Sequence, residues 1–245
     1  SCSTDLISNE MLQHLTPLCT KALLKTFNHS LSSGLYPWQT SVITPIFKSG
    51  NPFSPDNYRA IAVGSCMGKL FSSILLNRLL SFKMLYCSDP KEQLGFSKGA
   101  QTNDHIFTLK TLVDKYTRKR KVRLYACFVD LRKAFDTVCR DLLLHKISCL
   151  GISGNFFDCL SDMYKNSIAC IKISRLLTPD IPIGKGTEQG HPLSPDLFKL
   201  YIRKLSSLLK SSKNYPELSD IIISHLLWAD DLVLLALTPS ALQDN

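Results

Sequence analysis

The sequence predicts an α+β fold, and three observations carry the prediction. Apolar runs of strand length, rich in Ile, Leu and Val, occur at 42–47, 58–63, 124–130, 168–173, 221–227 and 232–237. Between them lie longer segments whose apolar residues recur every three to four positions, as on one face of a helix. Clusters of Gly, Pro, Asn and Ser punctuate the alternation.

In chain order, the first helical pattern runs from Met11-Leu12 through Leu15, Leu18 and Leu23-Leu24 to Phe27, and breaks at Gly34 and Pro37. Trp38 to Lys48 is extended and apolar, and residues 48–57 form a turn dense in Gly, Pro, Asn and Ser. The returning strand is Tyr58-Arg59-Ala60-Ile61-Ala62-Val63. Residues 68–82 form an amphipathic helix through Leu70, Phe71, Ile74, Leu75 and Leu79. After a polar loop at 93–102, residues 104–116 again have helical spacing. Six basic residues then fall in nine positions, Lys115 to Arg123, a run that suits a solvated loop, a phosphate contact or a nuclear-import patch. Leu124 to Asp130 is a strand ending in an acid, with Cys127 expected in the core. Helices follow through Leu142–Ile147, at 154–165 and at 196–209, the last opened by Pro195.

Composition bounds the function. Hydrophobic residues make up 44% and charged residues 20%, which excludes a disordered or fibrous chain. The net charge of +9 is uneven: residues 210–245 carry two basic and five acidic residues, leaving 27 basic and 15 acidic ahead of them. A basic body with an acidic point suits a polyanion ligand and a metal site. Nine cysteines form no Cys-x-x-Cys pair and match no zinc spacing, so they read as reduced thiols of an intracellular protein, nuclear or cytoplasmic. No apolar run approaches the roughly 20 residues of a membrane span, and no membrane partner is expected.

The chemistry concentrates at two strand ends. Asp230 and Asp231 sit between the apolar runs 221–227 and 232–237, at the tip of a predicted hairpin. Paired carboxylates at an apolar mouth repel, so they stay in water or hold a cation. Asp130 ends another apolar strand 100 residues earlier. If the strands are neighbours, three carboxylates converge at one sheet edge, the donor set two magnesium ions need. Gln189-Gly190 precedes a Pro-opened helix, where glycine lets the backbone approach a base or sugar; an ordinary turn has the same appearance. Lys48 and Arg59 flank a hairpin and could reach a triphosphate, or serve as plain surface cations.

The order of these segments resembles the reverse transcriptase domain of non-LTR (LINE-type) retrotransposons. The matching pieces are Trp38 to Lys48, Asn57-Tyr58-Arg59-Ala60-Ile61, Gln93-Leu94-Gly95-Phe96, Phe128-Val129-Asp130-Leu131-Arg132-Lys133-Ala134-Phe135-Asp136, Gln189-Gly190-His191-Pro192-Leu193-Ser194-Pro195 and Trp228-Ala229-Asp230-Asp231. The resemblance implies a right-hand polymerase, with an N-terminal helical segment (1–34), a fingers-like region (35–123) and a palm (124–245) that includes helices at 138–170. The palm's sheet would be antiparallel and the chain truncated before the thumb. It implies an RNA-directed DNA polymerase whose partners are an RNA template, a DNA primer and deoxynucleoside triphosphates. Asp130, Leu131 and Asp230 would hold two Mg2+ ions, or Mn2+ in their place, with Asp231 as the third catalytic acid. Phe135 would exclude a ribose 2′-hydroxyl, Gln189 and Gly190 would lie along nucleotide and template, and Arg59 and Lys48 would contact the triphosphate.

Three departures stand out. Trp228 replaces the usual Tyr, Ala60 replaces a Pro, and Glu188 replaces the Arg that usually precedes Gln-Gly. An anion beside nucleotide phosphates should weaken binding through repulsion. With Glu188 and no thumb, the chain by itself is expected to be weakly active or inactive; a non-enzymatic relic that binds RNA, DNA or a protein partner is the alternative. A two-metal nuclease shares the carboxylates but has no evident need for Phe135 or Gln189-Gly190.

Overall fold

Pro17 divides the first helical pattern, because proline suits the first turn of a helix but not its interior. In the computed structural model, which describes residues 5–209 and 214–244, a short α1 (Asn9–Gln13) is followed by α2 (Pro17–Ser33). Thr16 caps α2 at its start and Gly34, at φ 70°, ends it. The elements continue as β1 (Thr40–Phe47), β2 (Tyr58–Gly64), α3 (Cys66–Tyr86), α4 (Thr102–Val113), β3 (Tyr125–Asp130), α5 (Arg140–Cys149) and α6 (Gly154–Lys165). Next come β4 (Ile168–Ile173), β5 (Leu176–Leu177), β6 (Ile181–Pro182), α7 (Ser194–Leu208), β7 (Glu217–Leu218) and β8 (Ile221–Ile222). The chain closes with β9 (His225–Trp228), β10 (Asp231–Ala236) and α8 (Pro239–Gln243).

Two compact units interleave along the chain. The first comprises residues 1–87 and 135–197, the second residues 88–134 and 198–245. In the first unit the sheet order is β2-β1-β4-β5, with β6 also on β4. β1 pairs antiparallel with β2 and parallel with β4. An aromatic cluster of Phe27, Tyr36, Trp38 and Phe71 packs α2 and α3 together, with ring centroids 5.2–6.3 Å apart.

The second unit is built on the antiparallel sheet β3-β10-β9. On one side, Leu112 and Tyr116 pack against Leu226 and Leu235. On the other, Leu209, with Ile202 and Leu205 of α7, packs against Leu227 and Leu232. The central strand β10 is thus covered on both faces. The edge strand β3 is not: Phe128 is 71% exposed. Cys127, expected in the core, is exposed on that same edge strand.

Two further local readings change. The basic run does not begin as a loop: α4 continues into a π-helical turn, Asp114–Lys119, anchored by buried Tyr116. The Tyr116 hydroxyl accepts the Glu217 amide at 3.0 Å, and Lys115 and Arg120 each stand 3.9 Å from the Glu217 carboxylate. The predicted single strand over 221–227 is broken, β8 pairing with β7 and β9 with β10. Among the described residues no helix is long and apolar enough to cross a membrane.

Candidate active site

The acidic hairpin forms as its apolar flanks require. Leu226, Leu227, Leu232 and Leu235 are buried, which fixes the register of β9 on β10, and Trp228 pairs with Asp231. That leaves a two-residue loop, Ala229-Asp230. Ala229 has φ 57°, while Asp230 is not among the positive-φ residues, the φ signature of a type II′ hairpin turn. A buried alanine in this region carries strain on the order of 1–3 kcal/mol.

Across the sheet, Asp231 pairs directly with Asp130, the last residue of β3. The 100 residues of sequence between Asp130 and Asp230 thus close into one strand edge. Asp130 and Asp231 are exposed and Asp230 is half-buried. The Asp231 carboxyl is pushed above the usual carboxylate range by desolvation first, then by the charges of Asp230 and Asp130. Among the described residues no group of three or more His, Cys, Asp or Glu is already arranged to hold a metal ion. Uncompensated carboxylates repel, so the fit to hard divalent cations rests on register and on oxygen donors from two strands. Leu131, half-buried just after β3, has only a main-chain oxygen to offer.

The other expected residues lie in the first unit. Exposed Lys48 and Arg59 stand at the β1–β2 hairpin tip, where the Lys48 amide bonds the Asn57 carbonyl at 2.8 Å and Ile46 pairs with Arg59. That register puts both cations on one face of the hairpin. Gln189 docks on the same hairpin, its carbonyl accepting the Ala62 amide at 3.0 Å. Gly190 has φ 103°, and a Cβ there would come within 3.0 Å of the Ala62 carbonyl oxygen, so glycine is required by both dihedral and contact. Half-buried Phe135 is tied to the same segment, its carbonyl accepting the Thr187 amide at 2.8 Å. Gln189 Nε2 donates to Asp136 at 3.2 Å. The structure therefore brings Phe135, Gln189 and Gly190 together beside the strand that carries Arg59.

Three residues had no role assigned from the sequence. Buried Arg140 donates from Nε to the Gly186 carbonyl (2.9 Å) and from Nη1 to the carbonyls of Tyr164 (2.5 Å) and Ile183 and to Ser167 Oγ. Gln93 clasps the acidic turn, as developed below. His191 Nε2 lies 3.0 Å from Ser72 Oγ, with Nδ1 shielded and lacking a hydrogen-bond partner. Only tertiary contacts reveal these roles.

Glu188, the departure expected to repel phosphate, is half-buried and lines a polar cavity of about 20 Å³ with Tyr36, Tyr164, Lys69 and His191. Burial raises its carboxyl, and the Arg140 charge opposes that rise. Burial likewise holds His191 down at about 4, with Lys69 adding to the effect. Unfolding restores a histidine pKa of about 6.5, so the unfolded chain binds more protons between these values and stability falls as pH drops through that window. His191 alone accounts for at most about 3 kcal/mol of this loss. Glu188, raised on folding, acts in the opposite sense. Urea unfolding from pH 7 to 4 is expected to show a shallower acid limb in His191→Gln than in the wild type. An unchanged limb would mean that His191 is not held neutral.

Comparison with known proteins settles the family. The model of the reverse transcriptase (RNA-dependent DNA polymerase) family matches residues 46–245. The chain belongs to the reverse transcriptase family. It is 31% identical over 204 residues to the Pol polyprotein of the type-1 retrotransposable element R2 of Popillia japonica, covering 81% of this chain and 28% of that protein. To the RNA-directed DNA polymerase of the mobile element jockey of Drosophila melanogaster it is 27% identical, over 97% of this chain and 26% of the relative. Both relatives are non-LTR retrotransposon proteins, and this reverse transcriptase domain spans about a quarter of their length. Among solved structures, apo telomerase of Candida tropicalis lacking its C-terminal domain superposes with a TM-score of 0.59 at 16% identity, over 91% of this chain and 49% of that one. Telomerase of Candida albicans, solved with a telomeric RNA fragment, gives 0.60 at 11% identity, over 94% and 44%. These likenesses establish the α+β polymerase fold.

Proposed function

We propose that this reverse transcriptase domain copies an RNA template into DNA, adding deoxynucleotides to a primer 3′-hydroxyl. The observation that carries the reading is the pairing of Asp130 with Asp231 beside the strained Ala229-Asp230 turn. Asp130, Asp230 and the main-chain oxygen of Leu131 would hold two Mg2+ ions, or Mn2+, with Asp231 as the third acid. Bound there, the metals would activate the hydroxyl and neutralise the leaving pyrophosphate.

The remaining residues bind and orient. Arg59 and Lys48, on one hairpin face, take the triphosphate as charge-assisted donors. Gln189 and Gly190 lie along the nucleotide and template, held by their bond to β2 and by the Asp136 contact. Phe135 would exclude a ribose 2′-hydroxyl. In the family's terms, 1–34 is a helical segment, 35–123, with β1–β2, serves as fingers, and 124–245, with β3-β10-β9, as palm. Cys19, Cys66, Cys127, Cys139, Cys149, Cys159 and Cys170 are free thiols, which suits action inside the cell, in nucleus or cytoplasm.

Primer extension on an RNA template with Mg2+ and deoxynucleotides, beside Asp230→Ala, tests the reading. Extension by the wild type alone is expected. No extension by folded wild type, with RNA binding that weakens with salt and survives Asp130→Ala, would leave a binding role in its place. Phe135→Ala is expected to raise incorporation of ribonucleotides relative to deoxynucleotides by about tenfold or more, because opening the pocket removes the steric penalty on the hydroxyl. An unchanged ratio would remove Phe135 from sugar selection.

A further inference from the structure

The Ala229-Asp230 turn is held from outside its own hairpin. The segment before it in space is Glu92-Gln93-Leu94-Gly95, which runs parallel to β9: the Leu227 amide donates to the Glu92 carbonyl at 3.0 Å, and the Leu94 amide donates to the Leu227 carbonyl at 3.1 Å. Beyond Trp228 the backbone turns away from this ladder. There the side chain of Gln93, only 3% exposed, takes over as a substitute peptide group. Its Oε1 accepts the Ala229 amide at 3.0 Å, and its Nε2 donates to the Ala229 carbonyl at 3.1 Å. The same Oε1 also accepts the Gly95 amide at 2.9 Å, which fixes the orientation of the Gln93 side chain.

Gly95 completes the fit. A Cβ at Gly95 would lie 2.2 Å from the Ala229 nitrogen and 2.9 Å from its Cα, so only glycine lets this segment press against the turn. Both polar groups of Ala229 are thereby satisfied in a buried setting, where either one left alone would favour a different turn. The clasp offsets the strain of the positive φ at Ala229 and fixes the peptide that leads into Asp230.

We infer that Gln93, seated on Gly95, is a positioning residue that locks the Ala229-Asp230 turn in its strained form and so sets Asp230 for metal binding. The last clause rests on the metal reading proposed above; the lock itself does not. Gln93 acts through Ala229, the turn residue to which its side chain bonds.

The test uses the whole chain and two variants. Gln93→Met keeps the length but loses all three bonds. Gln93→Glu keeps the acceptor and loses the donation to the Ala229 carbonyl. Hydrogen exchange of a peptide covering residues 226–232 reads the lock, and Mn2+ titration followed by electron paramagnetic resonance reads metal binding without turnover. Primer extension supplies kcat and the KM for deoxynucleotide. Faster exchange of this peptide by about tenfold in Gln93→Met, less in Gln93→Glu, with exchange in β3 unchanged, is expected. With it should come weaker Mn2+ binding and a lower kcat at unchanged KM. Unchanged exchange in folded Gln93→Glu and Gln93→Met overturns the lock. Faster exchange with unaltered Mn2+ affinity overturns its role in metal positioning. Absence of Asp230-dependent Mn2+ binding in the wild type overturns the metal reading instead.

Discussion

Asp230→Ala is expected to lower primer extension by about a thousandfold or more without destabilising the protein. Metal ions on a transferring phosphoryl group contribute several kcal/mol to the transition state, and each 1.36 kcal/mol is tenfold in rate. The substitution removes a carboxylate from the loop while leaving the hairpin's pairing of Trp228 with Asp231 intact. Asp230 is also one of the charges that push the Asp231 carboxyl upward. Its removal relieves like-charge repulsion, so the thermal midpoint should stay level or rise. Loss of activity together with a lower midpoint would signal a damaged turn rather than a lost ligand. Retained activity would remove Asp230 from the chemistry altogether.

The second large effect falls on stability. Arg140→Met is expected to destabilise the chain by about 3–5 kcal/mol, measured as a lower midpoint in urea, because it strands buried acceptors. Those are the carbonyls of Tyr164, Ile183 and Gly186 and the hydroxyl of Ser167, all now served by one guanidinium. The Tyr164 ring adds a cation–π contact at 5.2 Å. Against a typical total of roughly 5–15 kcal/mol, that loss threatens folding at 37 °C. Arg140→Lys should rescue little, since an ammonium cannot reproduce the planar fork. A midpoint within error of wild type for Arg140→Met would show that water replaces the guanidinium at no cost. The residues Arg140 holds lead straight into Thr187–Gly190, so the same change should loosen the docking of Gln189 on β2.

Local pattern made much of this legible. The hairpin around Asp230 could be read because two apolar runs bracket two acids, and burial of those runs then fixes the register. The sequence marks Gly190 as a glycine where the backbone can come close to another group, and in the fold its positive φ and the nearby Ala62 carbonyl require glycine there. What could not be read is what distant segments do for one another. Arg140 looks like any cation at a helix start, and Gln93 like any polar loop residue, yet their long-range bonds reach 24 to 136 positions along the chain. Cys127 was misplaced for a related reason. An apolar strand carries no mark that says whether it will lie at the centre of its sheet or at an edge.

The order of β3, β10 and β9 bears on how the chain is made. β10, the middle strand of its sheet, follows β9 in the chain, and β3, which pairs with it, leaves the ribosome about a hundred residues earlier. Until then β3 has no sheet partner and carries a bare row of amides beside Phe128. Loop closure over that distance is slow, and waiting apolar strands associate with one another. Heterologous production should therefore be limited by nascent-chain aggregation, and slower elongation at low temperature or a holding chaperone should raise the soluble yield. For the same reason the two units cannot be produced by cutting the chain once: every single cut leaves one of them missing a piece.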